Sequence, residues 1–174
     1  MNWVDMIARA VSWRSLDLEV SWREIEWQLG VQLPSDYKLF CECFGAGQFS
    51  GYLEVYSSSG GTDCKILQKL RRFHNLIEQH PVTRKVFEPH GLFTPDIGGL
   101  IPWGMSVTAT EYYWLARPDA GSQGWPLLIR EESGDWQRSE IPMTEFIFRM
   151  LTDESFADFG IADLVAEPFY ESAT

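Results

Sequence analysis

The sequence predicts an α+β domain in which N-terminal helices pack on a mainly antiparallel sheet of four to six strands, with a C-terminal helix closing the domain. Apolar residues recur at helical spacing in the first half, whereas the second half contains short apolar runs separated by Gly- and Asp-containing turns. The 174 residues suffice for one domain with a sizeable core. We expect a single domain over 1–174, with 1–20 as an N-terminal helical extension and 153–174 as an acidic C-terminal extension.

Three helices are predicted before residue 45. The first covers about 2–13, where apolar residues recur every three or four positions. The second begins at Ser21, which together with Glu24 forms the pattern of a capping box. It ends at Gly30, because glycine adopts the left-handed cap conformation without a steric penalty. The third is expected over about 35–43.

The middle of the chain mixes strand, helix and irregular structure. Residues 52–56 alternate and are rich in β-forming side chains, which predicts a strand. The glycine-rich stretch 45–51 follows a helix instead of a strand, so we interpret it as a connecting loop and not a phosphate-binding turn. A helix is predicted over 63–79. The Pro-containing stretch 80–98 is expected to be irregular, with one helical turn near 83–88.

The second half is predicted to be an antiparallel meander followed by helices. Helical spacing predicts a closing helix over 143–151, and the apolar residues of the acidic tail suggest another short helix at about 161–166. The strands are expected at 100–102, 111–116, 125–131 and 135–141.

The order and spacing of several short motifs resemble the SUKH superfamily, over about residues 21–152. The superfamily groups fungal cell-wall regulators with bacterial immunity proteins that neutralise toxins. The resemblance implies the same α+β architecture and an immunity-type protein that neutralises a cognate toxin by direct stoichiometric association. The motifs are Leu29-Gly30 at a helix end, the step Val31-Gln32-Leu33-Pro34, the helix start Asp36-Tyr37-Lys38-Leu39-Phe40, and Ile101-Pro102-Trp103-Gly104 before strands.

Charge is unevenly distributed along this acidic chain, whose net charge is −11. Residues 140–174 contain eight acidic residues against Arg149 alone, whereas residues 65–90 contain six basic residues against two acidic ones. An acidic protein repels nucleic acid and attracts basic partners. We therefore expect a protein partner, such as a toxin domain that could be a basic nuclease, no nucleic acid, and a solvated role for the basic helix face.

The sequence also indicates the cellular compartment of the protein. The N-terminus carries Asp5 where a secretory signal would carry basic residues, and no apolar run approaches the roughly 20 residues that span a bilayer. The three cysteines are too few and odd in number for a disulfide framework. These features predict a cytoplasmic protein that does not bind a membrane.

No constellation of residues points to catalysis. The histidines lie outside zinc-site spacings, although a Cys64–His74 nucleophile pair remains an alternative. Glu131 and Glu132 are adjacent, and on a strand they would face opposite sides of the sheet. We expect no enzymatic activity, no catalytic residue, no metal and no cofactor.

Aromatic residues are abundant, and most are expected in the core. Phe40, Phe44, Trp114, Phe146 and Trp27 lie on predicted inward faces. Trp103, Trp125 and Trp136 fall near predicted strand ends, where tryptophan could form an exposed binding patch. Trp103 in particular is expected at a strand boundary, buried against the helix that carries Leu29, Leu33 and Phe40.

The candidate partner-binding residues follow from the acidic tail and these tryptophans. Two other functions stay open: a regulatory scaffold or interaction module in a signalling complex, and a small-molecule-binding module at the tryptophan-rich region. The candidate contacts are the acids Glu145, Asp153, Glu154 and Asp158, the apolar anchors Phe156 and Phe159, and the tryptophans Trp125 and Trp136.

Overall fold

The computed structural model describes residues 2–173 and confirms the α+β class. Three short 3₁₀ segments, Pro81–Phe87, Ser122–Gly124 and Ala157–Phe159, join the regular elements. The helices are α1 (Trp3–Ala10), α2 (Trp22–Leu29), α3 (Ser35–Phe44), α4 (Lys65–Gln79) and α5 (Met143–Thr152).

The described chain forms one antiparallel sheet of seven strands, where four to six were expected. Its spatial order is β6-β5-β4-β3-β2-β1-β7, so the C-terminal strand pairs beside the first one. The strands are β1 (Gly47–Phe49), β2 (Leu53–Val55), β3 (Gly99–Ser106), β4 (Glu111–Ala116), β5 (Leu127–Arg130), β6 (Trp136–Ser139) and β7 (Tyr170–Ser172).

Strands β1 and β7 are the two that the sequence did not predict. β1 lies inside the glycine-rich stretch interpreted as a loop, and it pairs with β7 from Gly47 opposite Ser172 to Phe49 opposite Tyr170. The helix predicted near 161–166 is replaced by a single turn in which Leu164 N–H donates to the Ile161 carbonyl at 2.9 Å. The chain then runs extended into β7.

The observed helix ends agree with the sequence predictions at some residues and differ from them at others. Gly30 ends α2 in the predicted left-handed conformation, with φ +82°. The capping box at Ser21 is wrong, because the Ser21 side chain makes no capping hydrogen bond and Glu24 accepts one from Gln28 at 3.1 Å. α1 ends at Ala10, three residues earlier than predicted.

Helices cover both faces of the sheet. Successive strand residues point to opposite faces, so Tyr112 faces the main core while Tyr113 faces a second, smaller cluster. The main core lies under α1, α3 and α5, and it also includes Tyr170 of the C-terminal segment. The second cluster joins Tyr113, Leu100 and Leu128 to Ile77 of α4 and Phe87 of the 3₁₀ segment.

Trp103 is fully buried, as predicted, but its position in the sheet is not the predicted one. β3 continues through it to Ser106, with a register shift between Pro102 and Gly104. Its ring partners are Tyr112 at 5.0 Å, Trp114 at 6.3 Å and Phe146 of α5 at 6.2 Å. The indole is therefore packed between the sheet and α5.

Trp27 was predicted to face inward, and this is wrong: its side chain is 79% exposed. The inward face of α2 is set by Ile25 and Leu29, which are buried and lie one turn apart. Trp27 is two residues from each of them, which places it about 200° around the helix.

Among residues 2–173, no helix combines the length and apolar character needed to cross a bilayer. The longest helix, α4, has 15 residues.

We expect Trp103→Ala to lower the free energy of unfolding by about 3–5 kcal/mol, because the change empties a close-packed site between the sheet and α5. Trp27→Ala is the matched control; it deletes the same side chain at an exposed site and should change stability by no more than about 0.5 kcal/mol. Urea unfolding followed by circular dichroism measures both. Equal losses for the two variants would contradict the assignment of Trp103 to the core.

Gly47→Ala should destabilise the protein by about 1–3 kcal/mol through overpacking. A Cβ at residue 47 would overlap the carbonyl oxygen of Glu171 and approach the Tyr170 ring to 2.6 Å, so β7 would have to move. Gly121 has φ −60° and open space around it, so Gly121→Ala should be neutral or slightly stabilising. Thermal unfolding of both variants tests whether the β1–β7 pairing contributes to stability.

Candidate partner-binding site

The tryptophans proposed for an exposed patch are mostly internal. Trp125 is 5% exposed and belongs to the main core, so its place in an exposed patch is wrong; its ring lies against the segment that leads into α5. Trp136 is half-buried on the other face, 5.6 Å from the Tyr113 ring, and its indole N–H donates to the Glu88 carbonyl at 3.0 Å.

The acidic candidates differ in the exposure of their carboxylates and in the ion pairs and hydrogen bonds that these carboxylates form. Glu145 is mostly buried in an ion pair with Arg149 one turn later, at 2.6 Å. Asp153 accepts hydrogen bonds from the Ser155 hydroxyl at 2.6 Å and its backbone N–H at 2.9 Å, which lower the pKa of Asp153. Glu154 is exposed. The carboxylates of Glu145 and Asp153 therefore stabilise local structure.

Phe156 and Phe159 are half-buried and attach the C-terminal segment to α5. Their rings lie 5.1 Å and 5.3 Å from the Phe146 ring and 5.9 Å from each other. As exposed apolar anchors they are therefore only partly available. Their packing fixes the 3₁₀ turn Ala157–Phe159, which carries Asp158.

Asp158 and Phe159 line a cleft of about 310 Å³ at one edge of the main core. The C-terminal segment forms one wall, the turn between β5 and β6 forms another, and the floor comes from β4 and the segments beside it. The remaining lining residues are Tyr52, Thr108, Thr110, Tyr112, Glu131, Glu132 and Ser133.

Glu131 and Glu132 both line this cleft, so the prediction that they face opposite sides of the sheet is wrong. β5 ends at Arg130, and the two glutamates lie in the turn that follows it. Glu131 N–H donates to the Asp135 carbonyl at 3.0 Å, and Gly134 N–H donates back to the Glu131 carbonyl at 2.8 Å. The strict alternation of a strand does not apply in such a turn.

Carboxylates and hydroxyl groups together give the cleft its chemistry. Within residues 2–173, none of Glu131, Glu132 and Asp158 forms an ion pair; Glu131 accepts a hydrogen bond from Gln137. Tyr112 is almost fully buried, and burial raises the pKa of its hydroxyl well above the ordinary value. Three acids beside neutral hydroxyls form a surface that can accept a cationic, hydrogen-bond-donating side chain.

Cys41 and Cys64 are buried free thiols. Burial raises the pKa of Cys41 to about 12 and also raises the pKa of Cys64, so both thiols stay protonated at neutral pH. The His74 ring nitrogen Nε2 lies 2.7 Å from the Phe93 carbonyl oxygen. No group of three or more His, Cys, Asp or Glu side chains that could hold a metal ion occurs between residues 2 and 173.

A separate small cavity of about 110 Å³ lies beside the start of α5. Trp3, Trp114 and Trp125 are among its lining residues, together with the polar Asp36 and Gln123. The buried Trp125 indole N–H has no acceptor among residues 2–173. Asp36 is already engaged, because it accepts from the Thr144 backbone N–H at 3.1 Å and hydroxyl at 2.9 Å.

Comparisons with known proteins give no assignment: no family model, no curated protein and no solved structure matches this chain.

Only some of the residues that line the cleft were predicted as binding residues from the sequence. Asp158 and Phe159 stood out because the acidic tail contains apolar residues, while Glu131 and Glu132 were noticed but placed on a strand. The Gly-Asp pair at 134–135 was the available signal, since it is typical of a hairpin turn and places the preceding residues near a loop.

Proposed function

We propose that the protein is a cytoplasmic, SUKH-type immunity protein that neutralises a basic toxin domain by stoichiometric association, without catalysis. The observation that carries this proposal is the cleft, in which Glu131, Glu132 and Asp158 surround a concave, hydroxyl-lined surface. The motif resemblance supplies the functional class, and the cleft supplies a place where a lysine or arginine of the partner can insert.

The strength of such a contact depends on how far water is excluded. A pair of unit charges 4 Å apart gains about 4 kcal/mol at an effective dielectric of about 20, before desolvation is subtracted. Fully exposed pairs gain about 1 kcal/mol or less. Glu131 is partly buried, whereas Glu132 and Asp158 are exposed like Glu154. A side chain inserted in the cleft should therefore gain more than one at Glu154 because it is attracted by three carboxylates at once.

The acidic residues outside the cleft have a different role in this proposal. Residues 140–174 carry −7 of the net −11, and their field attracts a basic partner before contact. Such charges mainly raise the association rate and lose their effect as salt shortens the screening length. The cleft is expected to control dissociation, and the surrounding segment is expected to control encounter.

A second candidate function is a small-molecule-binding module, which the tryptophan-lined cavity favours. Three indoles offer stacking surfaces, and the Trp125 N–H is a buried donor in need of an acceptor. The volume of about 110 Å³ limits an occupant to a small polar or heteroaromatic molecule.

The proposed function predicts separate effects on the dissociation from, and the association with, a cognate basic toxin domain. Substituting the cleft acids (Glu131→Gln, Glu132→Gln, Asp158→Asn) should cost about 2 kcal/mol or more, or roughly 30-fold faster dissociation. The exposed triple Glu19→Gln, Asp96→Asn, Asp119→Asn removes the same charge elsewhere and should leave dissociation unchanged. Surface plasmon resonance measures both rates.

Glu154→Lys should instead slow association and reduce its dependence on salt, with little effect on dissociation. Co-expression with the toxin domain should protect cells, and the cleft triple variant should protect them less. An acidic partner surface, or equal dissociation of the cleft and control triples, would contradict the proposal.

The cavity predicts a thermal-shift response to a library of small heteroaromatic compounds. A ligand present at 100 times its Kd adds about 2.7 kcal/mol to stability, which corresponds to a rise in Tm of roughly 5–10 °C. Trp125→Phe removes the N–H and should abolish the shift, while Trp27→Phe should retain it because Trp27 is exposed on α2. If every compound leaves Tm unchanged, the cavity is only a packing defect or a water site.

A further inference from the structure

Four exposed basic residues, with Glu78 as the one exposed acidic residue of the stretch, lie on α4 and the 3₁₀ segment after it, although the chain as a whole carries −11. Arg72 and Leu76 lie one turn apart on α4 and therefore share a face. The 3₁₀ segment packs on α4 through Phe73 and Phe87, whose rings are 5.5 Å apart. We call this surface the basic ridge; its exposed residues are Arg71, Arg72, Leu76, Val82, Arg84, Lys85 and Val86.

The cations of the ridge are not neutralised within the molecule. Among the described residues, Arg71, Arg72, Arg84 and Lys85 form no ion pair with a carboxylate. Arg71 donates to the neutral Gln28 side chain at 2.8 Å. The ridge also exposes aliphatic surface, since Val82 is 69% exposed. Exposed cations beside exposed aliphatic groups are typical of a surface that receives an acidic, partly apolar partner.

The same chain presents a surface of the complementary kind, the acidic strap at residues 161–169. Asp163 and Glu167 are exposed, and between and beside them Leu164 is 78% and Phe169 is 43% exposed. The strap is held at both ends: Ile161 N–H donates to the Met150 carbonyl at 2.9 Å, and Ser50 N–H donates to the Phe169 carbonyl at 2.8 Å. It is therefore presented in a fixed shape.

The ridge and the strap are attached to the sheet through different elements, although the first half of α4 also contributes Ile66, Leu67 and Leu70 to the main core. The ridge is attached to the face that carries Tyr113 and Leu128, through Ile77 and Phe87. The strap follows α5, which covers the face that carries Trp103 and Tyr112. The named residues of both surfaces are exposed in the single molecule, so the strap does not cover the ridge of its own chain. A second copy can supply the complementary surface.

We propose that the acidic strap of one copy docks on the basic ridge of a second copy. Asp163 and Glu167 then pair with the ridge cations, while Leu164 and Phe169 cover the aliphatic residues of the ridge. Because the two surfaces differ, the contact is head-to-tail and can extend to further copies. The strap residues are not the cleft residues, so this proposal is independent of the proposed toxin site.

Two electrostatic effects compete in this contact. Copies that carry −11 repel one another as whole molecules, and at 0.01 M salt the screening length of about 30 Å lets this repulsion act. At 0.1 M the length is about 10 Å, which screens the distant charges but spares the direct pairs. At 1 M it falls to about 3 Å and the pairs weaken too. Association should therefore be greatest at intermediate salt.

Sedimentation velocity of the whole protein at 0.01, 0.1 and 1 M salt tests the contact. We expect the weight-average mass to be greatest near 0.1 M. Arg72→Glu with Arg84→Glu should raise the concentration needed for association by at least about tenfold. Arg14→Glu with Arg117→Glu is the matched control, since both arginines are exposed and the charge change is the same. Adding Asp163→Arg and Glu167→Arg to the ridge variant should restore association.

Several outcomes would overturn the proposal. A monomer at all three salt concentrations excludes the contact, and association that rises steadily with salt indicates apolar aggregation instead. Equal loss in the ridge and control pairs would show an effect of net charge alone. Failure of the four-substitution variant to associate, with an unchanged circular dichroism spectrum, would show that strap and ridge do not meet. Retention of a monomer on heparin through the ridge would assign the ridge to a different acidic partner.

Discussion

The ring of Phe146 is the contact on which the rest of the architecture depends. It packs against Trp103 and Tyr112 of the sheet at 6.2 Å and 5.9 Å, and against Phe156 and Phe159 of the C-terminal segment at 5.1 Å and 5.3 Å. One fully buried side chain thereby joins α5, the central strands and the chain beyond α5. Aromatic rings at these separations gain about 0.5–1.5 kcal/mol per pair beyond simple burial.

The cleft inherits its shape from this packing. Asp158 reaches the cleft because Phe156 and Phe159 fix the turn on either side of it, and Tyr112 forms part of both the core and the floor of the cleft. The pairing of β7 with β1 then holds the end of the segment, with the Tyr170 hydroxyl donating to the Gly45 carbonyl at 3.0 Å. A loosened core would therefore separate the carboxylates of the cleft.

How much could be predicted from sequence depends on how local each signal is. Helices α4 and α5 follow from periodicity within the element, the bounds of α3 follow from Pro34 and Gly45, and the end of α2 follows from a steric rule at Gly30. β1 and β7 have three residues each, and their pairing joins positions more than 120 residues apart, such as Gln48 and Glu171. No local pattern specifies such a pairing, so a glycine-rich strand is indistinguishable from a loop.

The directions of single side chains are also not specified by local sequence patterns. Trp27 was predicted to face inward, yet the buried face of α2 is the one that carries Ile25 and Leu29. Glu131 and Glu132 were excluded by a strand rule that ceased to apply one residue earlier, at Arg130. In both cases the predicted direction of the side chain was wrong. The direction of Trp27 depends on which face of α2 is buried, and that of the glutamates depends on where β5 ends.

The arrangement of charge gives the last link between fold and function. Glu131, Glu132 and Asp158 line one cleft with no basic side chain paired to them within residues 2–173. Under the proposed function, a partner that inserts a lysine or arginine gains attraction to these three carboxylates, whereas a neutral partner of the same shape does not, so the arrangement would favour basic partners.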